Sequence, residues 1–170
     1  MVLTQSELIA SLQGEVRILL HLASKVDRSQ LDYRPAPKQR STIELLRYLS
    51  MMGPTIGRHT MTGSQDPSLW ADAAKAADAR DFDQTLAAIA AQHDEYAALL
   101  QNVSDADFRV EVDSVVGGKT SRGSTLVNLV LCGCAAYRTQ LFLYLKACGH
   151  EELSTMNLWA GVDPPAAATV

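Results

Sequence analysis

Apolar residues recur at three- and four-residue intervals through four long stretches of the chain, the spacing of amphipathic helices. Leu8, Leu12, Val16, Leu19 and Leu22 form the first stripe, opened by the capping box Thr4-Gln5-Ser6-Glu7 and predicted to run to about Ser24. Gly14 within it costs about 1 kcal/mol relative to Ala, which predicts a helix neighbour close enough to need the space. Asp27 to Arg40, with Pro35 and Pro37, reads as a loop. Ser41-Thr42-Ile43-Glu44 opens a second helix whose inward stripe is Leu45, Tyr48, Leu49, Met52, Ile56 and His59. Gly53-Pro54 interrupts it, so a kink is expected, or two pieces with Pro54 in the first turn of the second. Thr60 to Arg80 mixes small and polar residues and reads as a long crossover with room for a short helical turn. Asp81-Phe82-Asp83-Gln84 starts the third helix, with Leu86, Ile89, Ala90, His93, Ala97 and Leu100 on one face.

The period then changes. Phe108 to Val115 alternates apolar and polar residues ahead of Gly117-Gly118, the pattern of one or two short strands and a turn. A fourth helix follows, from Gly123 or Ser124 to Cys148, with Gly149 as its C′ residue. Its inward stripe is Leu126, Leu129, Val130, Gly133, Tyr137, Gln140, Leu141 and Tyr144. Residues from His150 onward are expected to be irregular, ending in Pro164-Pro165 and a frayed alanine stretch, with Trp159 as the one large apolar anchor. The pattern predicts an all-α four-helix bundle with long connections and a short strand-like insertion before the last helix. It occupies 1–150, and 151–170 form the tail.

Composition narrows the class. At 18.4 kDa a single core burying roughly 70% of the chain's surface needs no staples. Fifteen Lys+Arg against nineteen Asp+Glu give a net charge of −4, which argues against a protein that lives by neutralising nucleic-acid phosphates. No apolar run reaches the roughly 20 residues of a membrane span. Met1 to Ala10 lack the basic and apolar regions of a signal peptide. A cytoplasmic location is expected, with no membrane or nucleic-acid partner. Cys132, Cys134 and Cys148 do not form a disulfide framework and read as small buried hydrophobes. Met51, Met52 and Trp159 offer apolar surface beyond the stripes, and symmetric dimers are the commonest oligomer, so a homodimer is expected.

Two segments carry a family likeness. Leu31-Asp32-Tyr33-Arg34-Pro35 leads into Ser41-Thr42-Ile43-Glu44-Leu45-Leu46-Arg47-Tyr48-Leu49, and Tyr137-Arg138-Thr139-Gln140-Leu141 precedes Tyr144-Leu145-Lys146. In order and spacing they resemble the DinB-like (YfiT-like) metalloenzyme superfamily across roughly Thr4 to Gly149. That resemblance implies a helical bundle holding a divalent metal on three histidines, one from the second helix and an i, i+4 pair from the fourth. Some members use the metal to activate a small thiol. Here the three positions fall on Tyr48, Gly133 and Tyr137: two phenols and a residue with no side chain. The chain is therefore expected to be a divergent member without metal or other cofactor. It would bind a small molecule where the metal would sit, between Tyr48, Gly133 and Tyr137 with Gln140 nearby.

Alternatives remain open at this level. The two tyrosines can instead fill the space and leave a closed scaffold. His21, His59 and His93 can form a relocated metal site serving a metal- or thiol-dependent transferase or hydrolase, although His59 lies about 16 Å along the helix from Tyr48. Arg47 and Arg138 point about 100° away from the neighbouring tyrosines and belong at the rim or surface. His150 is expected to be solvated. Gly117-Gly118-Lys119-Thr120-Ser121 lacks the spacing of a phosphate loop and suits a hairpin turn.

Overall fold

The computed structural model describes residues 3–64, 66–114 and 117–165. Helices dominate it: α1 (Gln5–Ala23), α2 (Thr42–Leu49), α3 (Met52–Thr62), α4 (Pro67–Asp78), α5 (Phe82–Leu100), the single turn α6 (Asp105–Phe108) and α7 (Arg122–Ala147). Between α6 and α7 stands an antiparallel hairpin of β1 (Glu111–Asp113) and β2 (Lys119–Ser121). The fold is all-α.

The two predicted capping boxes form, and the helix start predicted at Asp81 is a third. Thr4 and Glu7, Ser41 and Glu44, and Asp81 and Gln84 each exchange side-chain and backbone hydrogen bonds at the starts of α1, α2 and α5. The second stripe breaks where Gly53-Pro54 predicted, with Pro54 in the first turn of α3. That break leaves the Leu49 carbonyl outside the helical ladder, and Gln92 Nε2 of α5 donates to it at 2.8 Å. Tyr96 Oη donates in turn to Gln92 Oε1 at 3.2 Å, so a buried polar chain ties α5 to the kink. Tyr96 reaches this place because position 53 has no side chain: a Cβ there would lie 2.0 Å from its hydroxyl.

α1, the α2–α3 pair, α5 and α7 pack around one core that includes Leu12, Leu22, Leu45, Leu49, Met52, Ile89, Leu100, Val130 and Leu141. By length and composition α7 could cross a membrane, with a mean hydropathy of 1.4 over its most apolar window. Here it packs on α1, α2 and α3, with Arg138 buried in its middle. Glu15 of α1 accepts from Arg138 Nε at 2.6 Å, and Arg138 also donates to the Leu158 carbonyl. Desolvation raises the Glu15 pKa, against the pull of the guanidinium.

Several expectations are corrected. The crossover from Thr60 to Arg80 holds a twelve-residue helix, α4, started by Asp66 as N-cap and Pro67 in the first turn. Only Ala77 of α4 is buried, so it lacks the stripe that marks a core helix. Gly14 has no neighbour within 4 Å of where a Cβ would stand, so no close helix requires it. On α5 the buried face is Thr85, Ile89, Gln92, Tyr96 and Leu100, which turns His93 outward to pair with Asp94. Arg138 is 5% exposed rather than at the rim, because Glu15 and the tail satisfy its charge and donors. Met51 and Met52 are buried at the α2–α3 kink and offer no surface for a dimer. Cys132 is exposed, Cys148 partly exposed and only Cys134 buried. His150 is three-quarters buried and pairs with Glu152.

The tail packs, but not through Trp159, which is 71% exposed beside the Arg138 guanidinium. Leu153 and Asn157 are the buried residues instead. Asn157 Nδ2 lies 3.1 Å from His21 Nε2, and Lys25 pairs with Asp163 at 2.7 Å, so residues 153–163 clasp α1. Gly117 and Gly118 take positive φ in the hairpin turn. Val115 of the expected strand and the terminal alanine stretch lie outside the described residues.

Candidate functional site

α2, α3 and α7 bring the aligned positions together. Tyr48, the penultimate residue of α2, and Tyr137 of α7 meet edge to face with ring centroids 5.0 Å apart. Gly133, one turn before Tyr137, faces Met52, whose Cε would lie 3.3 Å from a Cβ there. These residues line a cleft of about 480 Å³ that runs along α3 through Met52, Ile56 and His59, and along α7 through Asn128, Leu129, Gly133 and Tyr137. Trp70 of α4 closes one side, its ring 6.2 Å from that of Tyr48. Among the described residues no Lys, Arg, Asp or Glu lines this cleft.

Polar side chains punctuate the apolar wall, among them Tyr48, Tyr137, His59 and Asn128. The Tyr48 phenol is half-buried, and its pKa is pushed up to about 12, first by burial and then by its hydrogen bond with Tyr137. It stays neutral. Arg40 lies outside the lining, its guanidinium carbon 4.0 Å from the Tyr48 ring centre and 5.9 Å from that of Tyr137. His59 places Nδ1 3.1 Å from the Ser64 carbonyl oxygen, while its Nε2 is buried without a hydrogen-bond partner. Asn128 and the Tyr137 phenol supply the others.

Of the four residues named from sequence, three share this lining and one does not. Gln140 lies one turn beyond Tyr137 and donates to the Tyr144 hydroxyl, which donates to the Arg40 carbonyl at 2.9 Å. That chain anchors the loop before α2. His59, expected far from Tyr48, lines the same cleft, because the cleft extends the length of α3 rather than sitting at one end of the core. His21 bonds Asn157 and His93 faces Asp94, so the three histidines stand in three separate environments. Among the described residues no group of three His, Cys, Asp or Glu side chains is placed to hold a metal ion.

The residues at the aligned positions do not fit a metal. Gly133 offers no ligand atom, Met52 fills the direction a side chain would take, and the Tyr48 phenol holds its proton far above neutrality. Cys134 adds no nucleophile: it is buried beside the Tyr96 hydroxyl, and burial pushes its pKa up to about 12.

Trp70, like Asn128, is a lining residue the sequence reading missed. Its signal was present in Asp66-Pro67 and the alanine-rich run behind them, a helix start without an apolar stripe. A second cavity of similar volume lies at the hairpin end, lined by Leu8, Phe108, Arg109 and Val127 among others, and holds none of the positions named from sequence.

A DinB-like protein of Bacillus subtilis, YjoA, superposes on the chain with a TM-score of 0.66 over 86% of this chain and 95% of that one. The chain has the DinB-like fold. Identity to YjoA is 17%, so the likeness is one of architecture alone. No protein-family model matches the sequence, and no curated protein does. Within this DinB-like architecture, the cleft between α2–α3 and α7 lies where the two family-like segments converge.

Proposed function

We propose that this DinB-like chain is a metal-independent small-molecule-binding protein, with its ligand seated in the cleft between Tyr48, Gly133 and Tyr137. One observation carries the reading: two phenols, Trp70 and Gly133 line a cleft whose volume of about 480 Å³ falls within the roughly 300–1,000 Å³ typical of ligand sites. An apolar wall with few polar groups is the usual composition of such sites. The two phenols orient a ligand, and burial of its apolar body supplies the affinity. No catalytic step is assigned.

The test is binding of 2-naphthol followed by ligand-observed NMR. Gly133→Leu fills the cleft and is expected to weaken binding tenfold or more while the helical circular-dichroism spectrum stays unchanged. Tyr137→Ala, which enlarges the site, provides a second variant with a measurable change. Equal binding to wild type and both variants rules the cleft out. Protein purified without tag or chelator should carry far less than one transition metal per chain. Stoichiometric metal lost on His59→Ala would replace this reading with a metal site.

A further inference from the structure

On the reading of the cleft as a ligand site, we propose that it takes an amphipathic monoanion, a flat apolar body carrying one carboxylate. The Arg40 guanidinium receives that carboxylate at the Tyr48–Tyr137 end.

Arg40 is the last residue before the N-cap of α2, and its backbone is pinned, because its carbonyl accepts from Tyr144 Oη at 2.9 Å. Its side chain reaches over the tyrosines, the guanidinium carbon 4.0 Å from the Tyr48 ring centre and 5.9 Å from that of Tyr137. Ring faces attract the cation but offer its N–H groups no oxygen. Arg28, Arg34, Arg58 and Arg138 each have a carboxylate partner. Among the described residues Arg40 has none, and no hydrogen bond uses its side-chain N–H groups. A guanidinium placed in this way matches a carboxylate through two parallel hydrogen bonds.

Arg40 lies outside the cleft lining, but a hollow connects them. It measures about 350 Å³, is lined by Arg40, Glu44 and Asp78 among others, and shares Tyr48 and Trp70 with the cleft. A ligand laid across Tyr48 has its body among Met52, Ile56 and Gly133 and its head beside Arg40. The phenols add a donor: one O–H serves the hydrogen bond between Tyr48 and Tyr137, and the other has no acceptor among the described residues.

The carboxylates of the hollow limit how much charge it accepts. Glu44 is engaged by the Ser41 backbone N–H at 2.7 Å and by Arg34 at 3.3 Å, and Asp78 is exposed at the end of α4. Arg40 is the one cation lining the hollow among the described residues, so it offsets one negative charge. A dianion would bring its second charge toward Glu44 and Asp78. A cation would compete with Arg40 for the ring face of Tyr48 and be repelled by it. An uncharged ligand keeps the apolar contacts and forgoes the pairing.

Four probes test this by ligand-observed NMR at low salt and about pH 8, where a phosphate ester is a dianion: 2-naphthoate, the uncharged isostere 2-naphthamide, 2-naphthyl phosphate and (2-naphthyl)trimethylammonium. Arg40 is exposed, which places its pairing between a solvated ion pair and a charge-assisted hydrogen bond, so naphthoate should bind wild type about five- to tenfold more tightly than the amide. Arg40→Gln should bring acid and amide within about twofold of each other and leave the amide within about twofold of its wild-type affinity. Lys38→Gln removes the same charge from the same loop and should keep the preference. Gly133→Leu should weaken acid and amide together. Phosphate and cation should both bind more weakly than naphthoate. Equal binding of acid and amide to wild type, a preference that survives Arg40→Gln, or one lost equally in Lys38→Gln overturns the role of Arg40 and leaves the cleft as a ligand site. Naphthoate binding untouched by Gly133→Leu puts the acid outside the cleft and overturns the proposal. Tighter binding of the phosphate or the cation overturns the choice of a monoanion. Failure of every probe to bind overturns both this proposal and the functional reading beneath it.

Discussion

Replacing Gly53 by Ala tests the contact on which the kinked α2–α3 unit depends. The new Cβ would lie 2.0 Å from Tyr96 Oη, 3.2 Å from Tyr96 Cζ and 3.3 Å from Val130 Cγ1. The first distance is below any van der Waals contact, and Tyr96 is 1% exposed, so the ring has no solvent-filled space to retreat into. Overpacking of this kind costs about 1–3 kcal/mol. Displacing the hydroxyl also breaks its bond to Gln92 Oε1, and an unsatisfied buried group costs about 1–3 kcal/mol more. Against this, Ala in a helix gains about 0.5–1 kcal/mol over Gly. The net expectation is a loss of about 2–4 kcal/mol, or roughly 5–15 °C in Tm for a chain of this length.

Urea unfolding followed by circular dichroism measures it, and a double-mutant cycle identifies the cause. Tyr96→Phe alone removes the hydroxyl and should cost about 1–2 kcal/mol through the unpaired Gln92 oxygen. In Gly53→Ala/Tyr96→Phe the clashing atom is gone, so the double variant should lie within about 1 kcal/mol of Tyr96→Phe. Gly14→Ala is the matched control: with nothing within 4 Å, it should stabilise by about 0.5–1 kcal/mol. A Gly53→Ala protein as stable as wild type, or additive losses in the cycle, would refute the packing described for Tyr96.

Restoring histidine at Tyr48, Gly133 and Tyr137 should create a zinc site, seen as a zinc-dependent rise in Tm; adding Met52→Ala should tighten it, because Met52 Cε stands 3.3 Å from the new Cβ at 133. No zinc response in either variant would show that these positions do not converge. Glu44 accepts from the Ser41 backbone N–H, which lowers its pKa below 4.5, so its contribution is fully present above that value and is lost as pH falls through the lowered one. Glu44→Gln keeps a capping side chain and should flatten the fall in Tm between neutral and acidic pH relative to wild type; parallel curves would contradict this. Truncation after His150 removes the buried Leu153, worth about 1.5–3 kcal/mol, and the Leu158 carbonyl that receives Arg138, so Tm should drop measurably. An unchanged Tm would show that residues 153–163 do not clasp α1 in solution.

The sequence by itself determined α1, the α2–α3 pair, α5, α7 and the hairpin, but not α4, because the former follow from local chemistry. A capping box satisfies backbone donors within four residues, Pro54 breaks a ladder wherever it stands, and Gly117-Gly118 supplies the left-handed backbone of the turn. Matching two short segments also sufficed to name the DinB-like fold and to bring Tyr48, Gly133 and Tyr137 to one place. Which residues lie opposite one another was decided only in three dimensions. The α5 stripe turned by enough to bury Tyr96 and expose His93, because Gly53 made room for the one and nothing required the other. Arg138 could be buried because Glu15, 123 residues away, and the tail carbonyl of Leu158 both reach it. Trp70 reached the cleft on a helix with a single buried residue, invisible to a search for apolar periodicity. His59 joined Tyr48 because the cleft follows α3 along its length, and its orphaned Nε2 depends on a contact with Ser64 that spacing alone does not specify. Periodicity records which side of a helix is apolar. Partners for buried polar groups are set by packing between elements distant in the chain.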